Sequence, residues 1–266
     1  MEKTTPVEVL RREISLPKIR SEIFHGLIFI NFDNEASPLA PSLAKLDREI
    51  APFGLAEMVP MPVRVDTELL CNWKGHQENA LEPYHTDYVH KRSHASAPAS
   101  LSKFLEFSPG DGQVMTTTDF AASEADLFSQ SGKTAMPTIQ GLRPEQQRRL
   151  FFASILPNFF GVFQPSGVMV TLILPRGPSL MDTMRFPLYP KSTTETPGFS
   201  EMFQRQVTVQ GTVIQEDIVT QSAVQAGHHS RFTPRGRLSW LEATIPQMNQ
   251  WLIERYRSAL DAPLRA

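Results

Sequence analysis

Between Asn72 and His90 the chain reads Asn-Trp-Lys-Gly-His-Gln-Glu-Asn-Ala-Leu-Glu-Pro-Tyr-His-Thr-Asp-Tyr-Val-His, a stretch rich in side chains that bind metals or move protons. At about 100° per residue, Glu78, Glu82 and His85 fall at successive steps of four and three and share one helical face. Two carboxylates and an imidazole would then point the same way. His90 lies five positions beyond His85, about 140° further round an ideal helix, so the helix must end, kink or widen there if both rings are to meet one ion. Two imidazoles joined by a carboxylate from elsewhere suit a divalent transition metal and leave coordination positions open. Spacing alone, however, favours ordinary cap or surface histidines.

The residues around the two histidines narrow the choice. The string N-W-K-x3-E-N-x2-E-x-Y-H-x4-H resembles the iron-binding signature of the large (alpha) subunits of Rieske non-haem iron oxygenases, which include aromatic ring-hydroxylating dioxygenases and demethylating monooxygenases. Asn72, Trp73, Lys74, Glu78, Asn79, Glu82, Tyr84, His85 and His90 all fall in register with it. The resemblance implies that His85 and His90 ligate a mononuclear Fe(II). It implies that Glu82 takes the place of the acidic residue that bridges an iron-ligating histidine to a Rieske-cluster histidine of the neighbouring subunit. Asn79 is carried over beside Glu82 as a candidate catalytic residue, Glu78 is equally a structural anchor, and Trp73 reads as core. Late in the chain, Gln215 to Gly227 resembles the family's E-D-x7-Q-x-G pattern, which nominates Asp217 as the third ligand. Glu216 would point about 100° away, so only one of the two carboxylates can face the iron. Without the resemblance both read as exposed helix residues. His76, His94, His228 and His229 lie near these motifs and read first as exposed or internally satisfied histidines, and Ser93 to Ser100 reads as a loop near the mouth of the site.

The elements that must position these residues follow from pattern. Glu22 to Phe32 is a dense apolar run that predicts a buried strand closed by Asp33-Asn34; Ser42 to Ile50 predicts a helix, and Met58 to Leu70 a second strand. Ala95 to Gln140 turns to Ser, Ala, Thr, Pro and Gly, predicting loops with one strand at Gln113 to Phe120. An antiparallel meander is predicted from Leu150 to Leu156, Phe159 to Gln164, Val168 to Leu174 and Met181 to Leu188, separated by Pro157-Asn158, Pro165-Ser166-Gly167 and Arg176-Gly177-Pro178-Ser179. Met202 to Ala226 lacks proline and predicts a helix weakened by Gly211. Leu241, Ile245, Met248, Leu252 and Tyr256 predict one face of a final amphipathic helix. The order predicts an α+β fold on an antiparallel sheet. The resemblance makes it the helix-grip (START/Bet v 1-like) type, a sheet wrapped around a long C-terminal helix. It extends over Ile23 to Leu39 and the tail from Gly236 to Glu242, dividing the chain into a linking remnant, 1–35, and a mononuclear iron catalytic domain, 36–266.

Composition bounds the partners. The 266 residues are 41% hydrophobic and 20% charged, with 22 Pro and 14 Gly, as in a globular protein. A net charge of -2 offers no field for nucleic acid. The absence of a long apolar run or a signal-like start predicts no membrane association and a cytoplasmic protein. Cys71 is the single cysteine, whereas a Rieske [2Fe-2S] cluster takes two cysteines and two histidines, so the chain does not build one. In the family the cluster domain precedes the strand at Ile23; truncation is the favoured reading, a split subunit the other. Electrons would come from a Rieske domain or from ferredoxin and reductase, and the resemblance implies a homotrimer in the intact enzyme. The substrates implied are O2 and a small apolar or aromatic molecule, consistent with the Phe, Met and Leu between Phe151 and Met184. Two other classes fit the same residues: a zinc hydrolase with Glu82 as base, and a non-catalytic binder of hydrophobic ligands.

Overall fold

The computed structural model describes residues 5–14, 16–108, 111–121, 136–234 and 236–261. In chain order the strands are β1 (Arg20–Phe24), β2 (Leu27–Asn31), β3 (Met58–Pro60), β4 (Arg64–Leu69), β5 (Ser102–Phe104), β6 (Gln113–Asp119), β7 (Arg149–Ile155), β8 (Phe159–Gln164), β9 (Gly167–Gly177) and β10 (Leu180–Pro190). The helices are α1 (Val7–Glu13), α2 (Leu39–Ser42), α3 (Ala44–Ile50), α4 (Trp73–Leu81), α5 (Thr86–Val89), α6 (Lys191–Thr194), α7 (Phe199–His228) and α8 (Thr244–Asp261). Strands β3 and β5 to β10 form one antiparallel sheet in the order β3-β10-β9-β8-β7-β6-β5, with β4 also paired to β10. This is the α+β class that the order of elements predicts.

Alternation along the central strands sorts side chains onto two packed faces, because successive residues of a strand point opposite ways. Phe151, Ala153, Phe159, Phe163, Val168 and Val170 join Leu43, Leu46 and Ile50 in a core on the α3 side. On the other face Val114, Phe160, Ile173 and Met181 meet Leu81 from α4 and Met248, Trp251 and Leu252 from α8. The meander thus reads as nearly unbroken apolar sequence because it is covered on both sides. In α8 the buried stripe is Ile245, Met248, Trp251 and Leu252, while Tyr256 is exposed. Among the described residues no helix is long and apolar enough to cross a membrane.

The apolar run from Glu22 to Phe32 departs from the sequence reading. It is two strands joined by His25 and Gly26, both at positive φ, and β1 and β2 pair only with each other. Ile23 and Ile28 are each 74% exposed and Ile30 is 61% exposed, so the strand predicted to be buried is a hairpin with one open face. A β-branched run reports strand propensity, not what covers it. A side chain at Gly26 would bring its Cβ to 2.9 Å from the Ala56 Cα, so positive φ and close approach both require glycine. The other breaks are smaller. Leu43 separates α2 from α3, and residues 61–63 divide the predicted Met58 to Leu70 strand into β3 and β4.

Candidate metal centre

Asn72 begins α4: its side chain accepts a hydrogen bond from the Lys74 backbone at 2.9 Å, satisfying an N-terminal N–H that the helix leaves unpaired. The helix then ends sooner than spacing predicts. Pro83 forces the residue before it out of helical conformation, and Glu82 is extended at φ -101°, ψ 137°. Glu78 and His85 therefore do not share a helical face. Glu78 is set among Lys74, His228 and Glu242 and its pKa is raised, chiefly by burial. The chain turns through Pro83 and Tyr84 into the single turn α5, with His85 and His90 at its two ends. The interruption lies before His85, not between the histidines, and the short turn brings the rings to 5.1 Å between centroids.

Each imidazole is held by its own carboxylate. His85 Nδ1 donates to Glu82 Oε1 at 2.7 Å, and the His85 backbone N–H donates to Glu82 Oε2 at 3.0 Å. His90 Nδ1 donates to Glu216 Oε2 at 2.7 Å, and the Ser93 hydroxyl donates to the same oxygen at 2.8 Å. With Nδ1 so engaged, Nε2 of both rings turns to Asp217 on α7: Oδ1 lies 3.6 Å from His85 Nε2 and 3.1 Å from His90 Nε2. Asn79 Nδ2 donates to Asp217 Oδ1 at 3.0 Å and fixes that carboxylate. Ligand atoms of His85, His90 and Asp217 all lie within 4.8 Å of one another.

These donors fit a mononuclear ferrous ion. Two imidazole nitrogens and one carboxylate on one side of a cavity are the set that leaves positions free for other ligands. Carboxylates on the far ring nitrogens fix tautomer and orientation. Burial alone would raise the Asp217 pKa, but the His90 hydrogen bond, the nearby imidazoles and Asn79 outweigh it and hold the group ionised below its ordinary range. Burial would likewise lower that of His90, yet Asp217 and Glu216 raise it overall.

The triad opens on a cavity of about 140 Å³ between the sheet and α7. Phe152, Phe160, Val162 and Met169 give the sheet side an apolar surface, and Val213 and Ile214 close it from α7. Buried His76 and half-buried His94 also line it, both kept neutral mainly by desolvation, His76 with a pKa of about 4 and His94 of about 3. His76 Nδ1 is paired with Gln221 Oε1 at 2.9 Å. His229 is exposed and bonds to Ser179 and Gln225. The 93–100 segment contributes His94 and Ala97 to the cavity wall.

Two features had little sequence signal. Glu216 reads as a bystander to Asp217, yet the 100° offset on α7 directs it to His90. Arg185 lies on β10 along with two other polar residues, Asp182 and Thr183, and lines the cavity, with nothing in the local sequence to single it out. Replacing Glu216 by alanine is expected to weaken divalent-metal binding about 10- to 100-fold while the fold persists. Competition titration checks this, and unchanged affinity would show that Glu216 does not orient His90.

Residues 61–258 match the family model described as ring hydroxylating alpha subunit (catalytic domain). A solved quaternary ammonium Rieske monooxygenase, studied for carnitine oxidation by gut microbiota, superposes with a TM-score of 0.68 at 18% identity, over 90% of this chain and 62% of that one. Naphthalene 1,2-dioxygenase from Rhodococcus sp., bound to indole, gives a TM-score of 0.64 at 15% identity, over 92% and 67%. The chain thus spans about three fifths of the length of the monooxygenase structures it matches. No curated protein matches the sequence significantly.

Proposed function

The chain belongs to the family of ring-hydroxylating alpha-subunit catalytic domains, and from that premise we propose that it oxidises a small, largely apolar substrate with O2 at one ferrous ion held by His85, His90 and Asp217. The observation that carries this reading is the convergence of these three donors on one side of an apolar cavity, each imidazole held by a carboxylate on its other nitrogen. When bound, the iron supplies the redox chemistry of oxygen activation. The residues do the rest. Asp217 offsets the ion's charge and is held by Asn79; Glu82 and Glu216 keep the Nδ1 protons of His85 and His90, so that each Nε2 lone pair is the donor. Phe152, Phe160, Val162 and Ile214 exclude water and seat the substrate. Glu82 is also the group we assign to electron entry through His85, from a Rieske domain that a ferredoxin and its reductase supply in turn, in a cytoplasmic homotrimer. The reaction we assign is hydroxylation or oxidative demethylation of that substrate, a reading supported by likeness to a naphthalene dioxygenase and a quaternary ammonium monooxygenase.

Metal identity tests the reading. Anaerobic reconstitution should load about one Fe(II) per chain, and the loaded protein should react with O2. Selective retention of zinc, with ester or amide hydrolysis and no response to oxygen, would replace it with the hydrolase.

A further inference from the structure

We infer that the substrate of this cavity carries a carboxylate and that Arg185 receives it; this rests on the reading of the cavity as a substrate pocket. Arg185 faces the helices in the run Met181, Thr183, Arg185 of β10, is 6% exposed, and lines the same cavity as the triad. Across β10 it stands directly opposite Arg64 on β4, and on its other side opposite Thr171 on β9. Like charges facing each other on neighbouring strands repel. Asp66 relieves the repulsion: it accepts from Arg64 Nε and Nη2 at 2.9 to 3.0 Å and from Arg185 Nη1.

One carboxylate therefore serves two guanidinium groups, leaving an excess positive charge in a place where an unpaired charge is costly. The Thr183 hydroxyl takes the second contact of Arg185 Nη1, at 2.6 Å, and is neutral. Among the described residues, Nε and Nη2 make no hydrogen bond. Their three N–H groups lie in the fixed plane that matches a carboxylate in bidentate fashion. Gly211 preserves the arrangement from the helix side: a Cβ there would stand 3.2 Å from Arg64 Nη1. The charge of Arg185 reaches both His76 and Asp217, but His76 is neutral and Asp217 is engaged by Asn79 and the ligand histidines. The one other carboxylate of the wall, Glu82, is taken up by the ring and the backbone N–H of His85, and the rest of the wall carries no acidic group. A cavity of about 140 Å³ holds roughly five waters, or one small organic molecule. The class that fits is an aryl or alkyl carboxylic acid, its anion on Arg185 and its apolar part turned to the triad; a lone cationic group is repelled at this end.

The test measures binding of benzoate, phenylacetate and 2-naphthoate, each against its primary amide, to metal-free protein by calorimetry, so that no metal ion can capture the carboxylate. At least one acid should bind about tenfold or more tighter than its amide. Arg185→Gln should erase that preference and Arg185→Lys should keep part of it. Arg64 still pairs with Asp66 in both variants, and two variants of different charge separate misfolding from lost recognition. Equal binding of acids and amides, no binding of any acid to the wild type, or a preference that survives in Arg185→Gln overturns the inference. Iron loading of the Arg185→Gln protein should stay at the wild-type level; failure of the wild type itself to load iron would count against the proposed function alone.

Discussion

Replacing Asp217 by alanine is expected to take Fe(II) from about one ion per chain to below about 0.1 at stoichiometric metal. Asp217 is the only carboxylate among the three donors that converge, and it lies against Nε2 of both rings. Without it, two neutral imidazoles face a dication with nothing to offset the charge. Glu82 and Glu216 cannot substitute, because each is tied to the opposite nitrogen of a ring. Asp217→Asn separates charge from shape: the side chain keeps its volume and its contact with Asn79, yet should lose most of the metal. Iron analysis after gel filtration, with circular dichroism to verify the fold, gives the answer. Full occupancy in Asp217→Ala would remove Asp217 from the ligand set and leave the paired histidines as a structural hydrogen-bond cluster.

The second large effect concerns the electron supply. Hydroxylation of a C–H bond by O2 consumes two electrons and two protons and yields one alcohol and one water. A Rieske cluster takes two cysteines and two histidines, and this chain has one cysteine. Cys71 is also buried, with its pKa pushed up to about 11 chiefly by desolvation, which is the opposite of a metal-binding thiolate. Iron-loaded chain mixed with NADH, a reductase and a ferredoxin should therefore give no detectable product. Joining a Rieske domain ahead of residue 1 should bring steady turnover. Hydrogen peroxide carries both the oxygen atom and the oxidising equivalents, so R–H and H2O2 balance to R–OH and water with no added electrons; it should give slow product at the same site, absent in Asp217→Ala. Steady turnover of the unfused chain with NADH and reductase would show that another electron route exists.

The candidate site was legible in one dimension because metal ligation is unforgiving of residue type and the signature packs nine residues into nineteen positions. His85, His90 and Asp217, 127 positions apart from second to third, do converge. The local geometry was not legible in the same way. A uniform 100° step carried the helix through to His85, whereas Pro83 ends it two residues earlier and separates Glu78 from the site. The meander strands were visible because both of their faces are buried, while the equally apolar hairpin at Ile23 to Ile30 is open on one side. Propensity is a property of the segment; burial is a property of what packs against it.

Composition and motif by themselves thus determined the class of fold, the identity of the three converging donors and the absence of a cluster-forming cysteine set, because each depends on residue type and short-range spacing. Tertiary structure decided which carboxylate touches which ring nitrogen, and that Glu216 orients His90 while Asp217 faces the shared point. It also decided that Arg185 and Arg64, more than a hundred residues apart, stand opposite each other over a single aspartate. Strand register and helix rotation set those distances, and a one-residue slip in either would point the same side chains elsewhere.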